Sequence, residues 1–269
     1  TTNRRSNQLS YDRHTPREAL LDAGARLCTG RGAWEVKIAR ALQTRRFSRG
    51  ELHRIQEHMA NPGESSIAHL LARPGIQRVP DARLALFILR DFLDEAECAA
   101  LVARIEAQRR PSTIADPNGD TYFRTSETCD LSDHDPAVAA LDARLAALSG
   151  IDPAFGEPLQ GQRYEVGQEF KAHTDYFEPN GADFQRYCAL SGQRTWTFMI
   201  YLNDVPEGGA TRFKVIGKTV QPERGKLLAW NNRRPDGTLN PATLHHAMKV
   251  RKGLKYVITR WYRERPWQG

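Results

Sequence analysis

No stretch of the chain approaches the roughly 18–20 consecutive apolar residues that a membrane span requires. The opening segment, TTNRRSNQLS, holds no apolar run of the kind that marks a secretory signal. The chain starts on Thr1 and not on Met, so a leader removed ahead of it is left open. Cysteine is scarce: Cys28, Cys98, Cys129 and Cys188 are scattered, with no C-x-x-C pair and no zinc-ligand spacing. That pattern excludes a disulfide scaffold and a cysteine-built zinc site. It predicts buried or free thiols in a reducing compartment, by default the cytoplasm.

What is present describes a globular protein. Of the 269 residues, 40% are hydrophobic and 26% charged, enough for one large domain or for a domain with a smaller companion. The net charge of +7 is lopsided. Residues 1–80 hold 14 of the 39 Lys and Arg but 7 of the 32 Asp and Glu, and the remainder is neutral. A basic segment of this kind is a solvated helical face or a surface for an acidic partner or nucleic acid.

PREALLDAGARLC, WEVKIARALQ, GELHRIQEHMA and ESSIAHLLA read as short helices, the last stopped by Pro74 and Gly75. They recur at no fixed period, so no repeat array is expected. Past Pro80 the apolar run ARLALFILRDFL predicts a strand leading into a helix, DEAECAALVARIEAQ, with Asp94 as its N-cap. PAVAALDARLAAL predicts another helix, ended by Gly150. From about Gln160 the pattern turns to strands: RTWTFMIYLNDV, KLLAWNN and KYVITRWYR are β-branched and aromatic, separated by turn signals such as PEGGA and RRPDG. Short strands with no helix between them argue against a parallel α/β sheet. They predict an α+β chain with a jelly roll or barrel and helices packed outside it. The expected division is a basic helical N-terminal region, 1–80, and a catalytic domain, 81–269.

One short stretch, KAHTDYF, offers chemistry. His173 and Asp175 stand two apart, so in an extended segment one imidazole and one carboxylate reach a common ion. Two ligands do not hold a catalytic metal, and the third candidates are the adjacent His245 and His246. Two His and one carboxylate on one face of an octahedron leave open positions, the arrangement of non-haem Fe(II) oxygenases. Neighbours on a strand face opposite ways, so at most one of the pair points at the metal.

The wording around this stretch resembles the prolyl 4-hydroxylase branch of the Fe(II)/2-oxoglutarate dioxygenases. The segments in question are FRTSETCDL, RYEVGQEFKAHTDYF, FMIYLNDVPEGGATRF, TVQPERGKLLAW and LHHAMKVRKGLKYVITRWYRERPW. The resemblance spans about residues 83–269 and implies a double-stranded β-helix core. That family places its distal ligand in H-x-x-x-P-V-x-x-G-x-K. Counted from His245, the pattern meets Val250, Gly253 and Lys255, with Lys249 in place of Pro; counted from His246 it misses by one. The resemblance therefore implies His173, Asp175 and His245 as catalytic metal ligands. It implies Lys255, Tyr164 and Thr259 for 2-oxoglutarate, and Trp261 and Arg124 towards substrate.

Fe(II), 2-oxoglutarate and O2 are the implied cofactors, with ascorbate as a reductant and succinate and CO2 as products. The resemblance implies a prolyl residue in a peptide or protein as substrate. Its segments 116–133 and 178–192 would close over that peptide, the latter as a mobile lid. A free amino acid or small peptide natural product is an alternative. A nucleic-acid demethylase is a weaker one, because those relatives have no equivalent of Lys255. A non-catalytic binding module acting through the basic helices is weaker still. Neither the oligomeric state nor the role of residues 1–80 follows from the sequence.

Overall fold

The computed structural model describes residues 62–112, 123–181 and 184–268. Three of the expected N-terminal helices, and whatever partner the basic region has, lie outside the described residues. The fourth helix forms as α1 (Pro62–Ala72). It is followed by β1 (Gln77–Arg78), β2 (Leu86–Leu89), α2 (Glu95–Gln108), β3 (Arg110–Pro111), β4 (Glu127–Asp130) and α3 (Pro136–Ser149). Next come β5 (Gln160–Tyr164), β6 (Phe170–His173), the five-residue α4 (Phe184–Cys188), β7 (Arg194–Tyr201), β8 (Glu207–Gly208) and β9 (Thr211–Phe213). β10 (Lys218–Val220), β11 (Leu227–Asn231), β12 (His245–Ala247), β13 (Val250–Lys252) and β14 (Lys255–Arg263) complete the chain.

Local chemistry sets the helix ends. The Asp94 carboxylate accepts from the Glu97 amide at 2.8 Å while the Glu97 carboxylate accepts from the Asp94 amide at 2.9 Å, a reciprocal cap on α2. Gly150 ends α3 at φ 69°, a left-handed turn that costs a glycine little. No described helix is long and apolar enough to cross a membrane.

The strands form an eight-stranded antiparallel sheet in the order β1-β2-β11-β7-β14-β5-β4-β3, a four-stranded sheet β10-β9-β12-β6, and the pair β13-β8. Alternation along the central strands sorts side chains into two cores. Trp196, Phe198 and Ile200 of β7, with Ile258 and Tyr262 of β14, face α2 and α3 through Leu101, Ile105, Leu141 and Leu145. Met199 and Tyr201, with Val257, Leu228 and Trp230, face the smaller sheet through Phe213 and Ala247. This is the expected jelly roll with supporting helices. Strands buried on both faces read as continuous apolar runs, which is why β7 and β14 stand out in the sequence. Gly161 of β5 lets α2 lie close on the sheet, since a Cβ there would run into Ile105.

Among the described residues, packing continues across residue 80: α1 lies against α3 and β7 with Leu70 fully buried, and β1 pairs with β2. The strand expected in ARLALFILRDFL forms as β2, but β4, which extends the large sheet beside β5, was not foreseen. Four residues, only two of them buried, carry too little pattern to announce a strand.

Candidate active site

The smaller sheet builds the metal-ligand cluster. β6 and β12 are antiparallel neighbours with His173 opposite His245, and their ring centroids lie 4.3 Å apart. Beyond that pair the register slips, so Phe170 and not Lys171 stands opposite Ala247. The slip brings Phe170 and His173, three residues apart, onto one face, where their rings stack at 3.5 Å. Asp175 follows in a bend. One ligand atom from each of His173, Asp175 and His245 lies within 4.8 Å of the others.

Second partners orient each ligand. His173 Nδ1 is 2.7 Å from the Lys171 carbonyl and His245 Nδ1 is 2.9 Å from the Thr243 carbonyl. A carbonyl only accepts, so both Nδ1 atoms carry the proton and both Nε2 lone pairs are free for a metal. Asp175 Oδ2 accepts from the Thr197 hydroxyl at 2.7 Å. His246 turns the other way, its Nε2 2.8 Å from Glu169. Burial, then the neighbouring His245, push His173 down to about 3, so it is neutral at physiological pH. Burial works to raise Asp175, yet His245, His173, Arg194 and the Thr197 hydroxyl together hold it below the usual carboxylate range. Two imidazoles with Nε2 turned towards a common point and one carboxylate suit Fe(II).

The large sheet faces this cluster with a second group. Lys255, Val257, Thr259 and Trp261 alternate onto the inner face of β14 and line one pocket with His173, Asp175 and His245. Tyr164 pairs across from Lys255, whose Nζ lies 5.0 Å from the Tyr164 ring and 5.5 Å from the Tyr201 ring. Lys255 is 1% exposed, and no carboxylate pairs with it among the described residues. Burial without a counter-charge pushes it down to about 7. A buried cation of this kind beside a metal cluster fits a ligand that brings its own carboxylate.

Several residues around the pocket escaped the sequence reading. Gln162 lines it beside Tyr164 and Thr259, accepting from the Tyr164 hydroxyl at 3.0 Å and donating to Thr259 Oγ1 at 3.3 Å. Its one signal is a spacing of two from Tyr164. Arg194 grips Glu157 through two bonds of 2.5 and 2.7 Å, donates to the Asp175 carbonyl at 3.3 Å, and lies 4.0 Å from the Trp261 ring centroid. Thr197 and Asn232 sit behind Asp175, and nothing in the sequence marks them.

Arg124 stands beside the pocket. It donates to Ser126 Oγ and Thr128 Oγ1 at 3.0 Å and to Gln160 Oε1 at 3.2 Å, over the Phe170 ring. No carboxylate pairs with it among the described residues, and burial lowers its pKa. Phe177 and the residues that follow α4 are tied to the rest of the fold. The Gln193 side chain bonds both the N–H and the carbonyl of Phe177, and Arg265 donates to the carbonyls of Cys188, Ala189 and Leu190.

Fold and site together define a 2OG-Fe(II) oxygenase. Residues 159–263 match the profile of the 2OG-Fe(II) oxygenase superfamily, a span that holds all three ligands and Lys255. A probable prolyl 4-hydroxylase 9 of Arabidopsis thaliana is 32% identical over 197 residues, 65% of this chain and 67% of that one. The chain belongs to the prolyl 4-hydroxylase family, and it is a 2-oxoglutarate-dependent dioxygenase using Fe(II). The prolyl 4-hydroxylase subunit alpha-1 of Mus musculus is 29% identical over 244 residues, 89% of this chain but 43% of that subunit. Among solved structures, the viral collagen prolyl hydroxylase of Paramecium Bursaria Chlorella virus-1, in its 2OG complex, has the same fold. Its TM-score is 0.53 at 23% identity, over 66% of this chain and 95% of that one.

Proposed function

We propose that the protein hydroxylates a prolyl residue in a peptide or protein. The observation that carries this reading is the pocket that unites His173, Asp175 and His245 with the unpaired Lys255. In it, His173, Asp175 and His245 hold Fe(II), and Lys255 takes the far carboxylate of 2-oxoglutarate with Tyr164 and Thr259 beside it. Bound together with O2, these groups supply the oxidation that places one oxygen atom on a substrate carbon, with succinate and CO2 released. Trp261, stacked under Arg194, forms the apolar wall nearest the substrate. Arg124, held by the neutral oxygens of Ser126, Thr128 and Gln160, offers N–H donors to a peptide's carbonyl oxygens. The prolyl substrate itself rests on the relatives.

The test is succinate release with Fe(II) and 2-oxoglutarate, with and without proline-containing peptides, followed by mass spectrometry of the peptides. The expected outcome is peptide-stimulated succinate and one added oxygen on proline. Stimulation by free amino acids alone would transfer the assignment to a small-molecule hydroxylase. No iron binding and no succinate under any condition would leave a binding module.

A further inference from the structure

Asp175 has two oxygens, and which of them faces the metal is decided behind it. Oδ1 lies on the His173 side, 3.8 Å from Nε2. Oδ2 accepts from the Thr197 hydroxyl at 2.7 Å, and Thr197 Oγ1 itself accepts from Asn232 Nδ2 at 3.0 Å. An amide NH2 only donates, so Asn232 occupies the hydroxyl as an acceptor and leaves its single proton for Asp175. Turning the amide over would set two acceptors, the Asn232 oxygen and the carboxylate, against one proton.

Both side chains are 0% exposed, so no water competes for these bonds. Thr197 stands between Trp230 and Trp261 in the sheet register, and an indole N–H cannot accept. Asn232 is locked by its backbone: its N–H donates to the Thr195 carbonyl at 2.8 Å, and its carbonyl accepts from Asn240 at 2.9 Å.

Resting on the reading of His173, Asp175 and His245 as the Fe(II) site, we propose that Thr197 and Asn232 are positioning residues. They hold Oδ2 away from the ion and present Oδ1 to it. The relay fixes the carboxylate before any metal arrives, so its contribution is to metal affinity first and to turnover only through that.

The experiment is anaerobic titration of the 269-residue chain with Fe(II) alone, against a competing chelator. Thr197→Val keeps the shape of the side chain but has no hydroxyl, and should weaken Fe(II) binding about 10- to 100-fold. Thr197→Ser restores the donor and should bind within about threefold of wild type. Asn232→Asp leaves Thr197 in place but turns its donor into a rival acceptor, and should weaken binding as Thr197→Val does. A merely structural role predicts neither the serine rescue nor the loss in Asn232→Asp. His173→Ala is the control, and circular dichroism checks each fold. If Thr197→Val fails to fold, Thr197→Cys takes its place, a poor donor that should also bind weakly. Wild-type affinity in the folded Val or Cys variant with loss in His173→Ala overturns the relay and leaves the metal site standing. Wild-type affinity in His173→Ala overturns the metal site itself.

Discussion

Lys255 is the side chain whose charge depends most on what shares its pocket. Burial without a counter-charge holds it at about 7 in the folded protein, against about 10.4 when the chain is unfolded. Between those values the unfolded state binds the extra proton, so this group makes stability rise with pH across that window. Lys255→Met should therefore raise the thermal midpoint of the empty protein at pH 6, with the gain fading towards pH 10; an unchanged midpoint at pH 6 would refute the buried uncompensated charge. In the proposed role of Lys255, a bound carboxylate reverses the preference, since 2-oxoglutarate would need the ammonium form. Above pH 7 its KM should climb by up to about tenfold per pH unit, with kcat at saturation much less affected. A KM flat from pH 7 to 9 would show that Lys255 stays charged throughout. The spacing of His173 and Asp175 suggested a ligand pair by itself, whereas His245 and Lys255 were expected only through the resemblance to a known family. Thr197, Asn232 and Gln162 were not legible, because their roles arise from neighbours on other strands, and a Thr in a buried strand spells nothing by itself.

The helices were the easiest elements to read, since their ends are written in caps: Asp94 with Glu97 at the start of α2, Gly150 at the end of α3. Asp94→Ala should cost about 1 kcal/mol in chemical denaturation, without touching cosubstrate affinity. The long strands were legible as apolar runs, whereas β3, β4 and β8 are too short and too polar to give a period. Their place is set by pairing, which no local pattern records. Gly161 marks one such non-local demand. Gly161→Val would push Ile105 and α2 off β5, for a loss of about 1–3 kcal/mol measured by denaturant unfolding; a neutral result would mean that α2 can slide. The loop 178–192 looked like a lid from its polarity, but its tether could not be foreseen. Arg265 lies more than seventy residues downstream of the carbonyls it binds. Arg265→Ala should speed limited proteolysis within 178–192 and raise the KM for a peptide substrate more than that for 2-oxoglutarate.

The molecule divides the proposed labour between its two sheets. The histidines belong to the four-stranded sheet and Lys255, Thr259 and Tyr164 to the eight-stranded one, so a ligand reaching from metal to lysine spans the gap between them. Fe(II) and 2-oxoglutarate should each raise the anaerobic thermal midpoint by about 5–10 °C at a hundredfold excess over Kd, and the two together by more than the sum of those shifts. Simple additivity would argue against a bridging mode. Only the outline of this architecture was readable in the sequence, because strand order is a property of the closed sandwich.

The slipped register at Phe170–His173 has one further consequence. The site depends on a count as well as on a spelling. Delete one residue between Phe170 and His173 and the letters H-T-D-Y-F survive, yet either the phenylalanine or the histidine must turn outward. Where the histidine is the one that turns, such a descendant would still carry the motif that a sequence comparison recognises, while having lost the ability to hold an ion. Over evolutionary time the length of this strand should be guarded more strictly than the identity of Lys171 and Ala172, which lie within it.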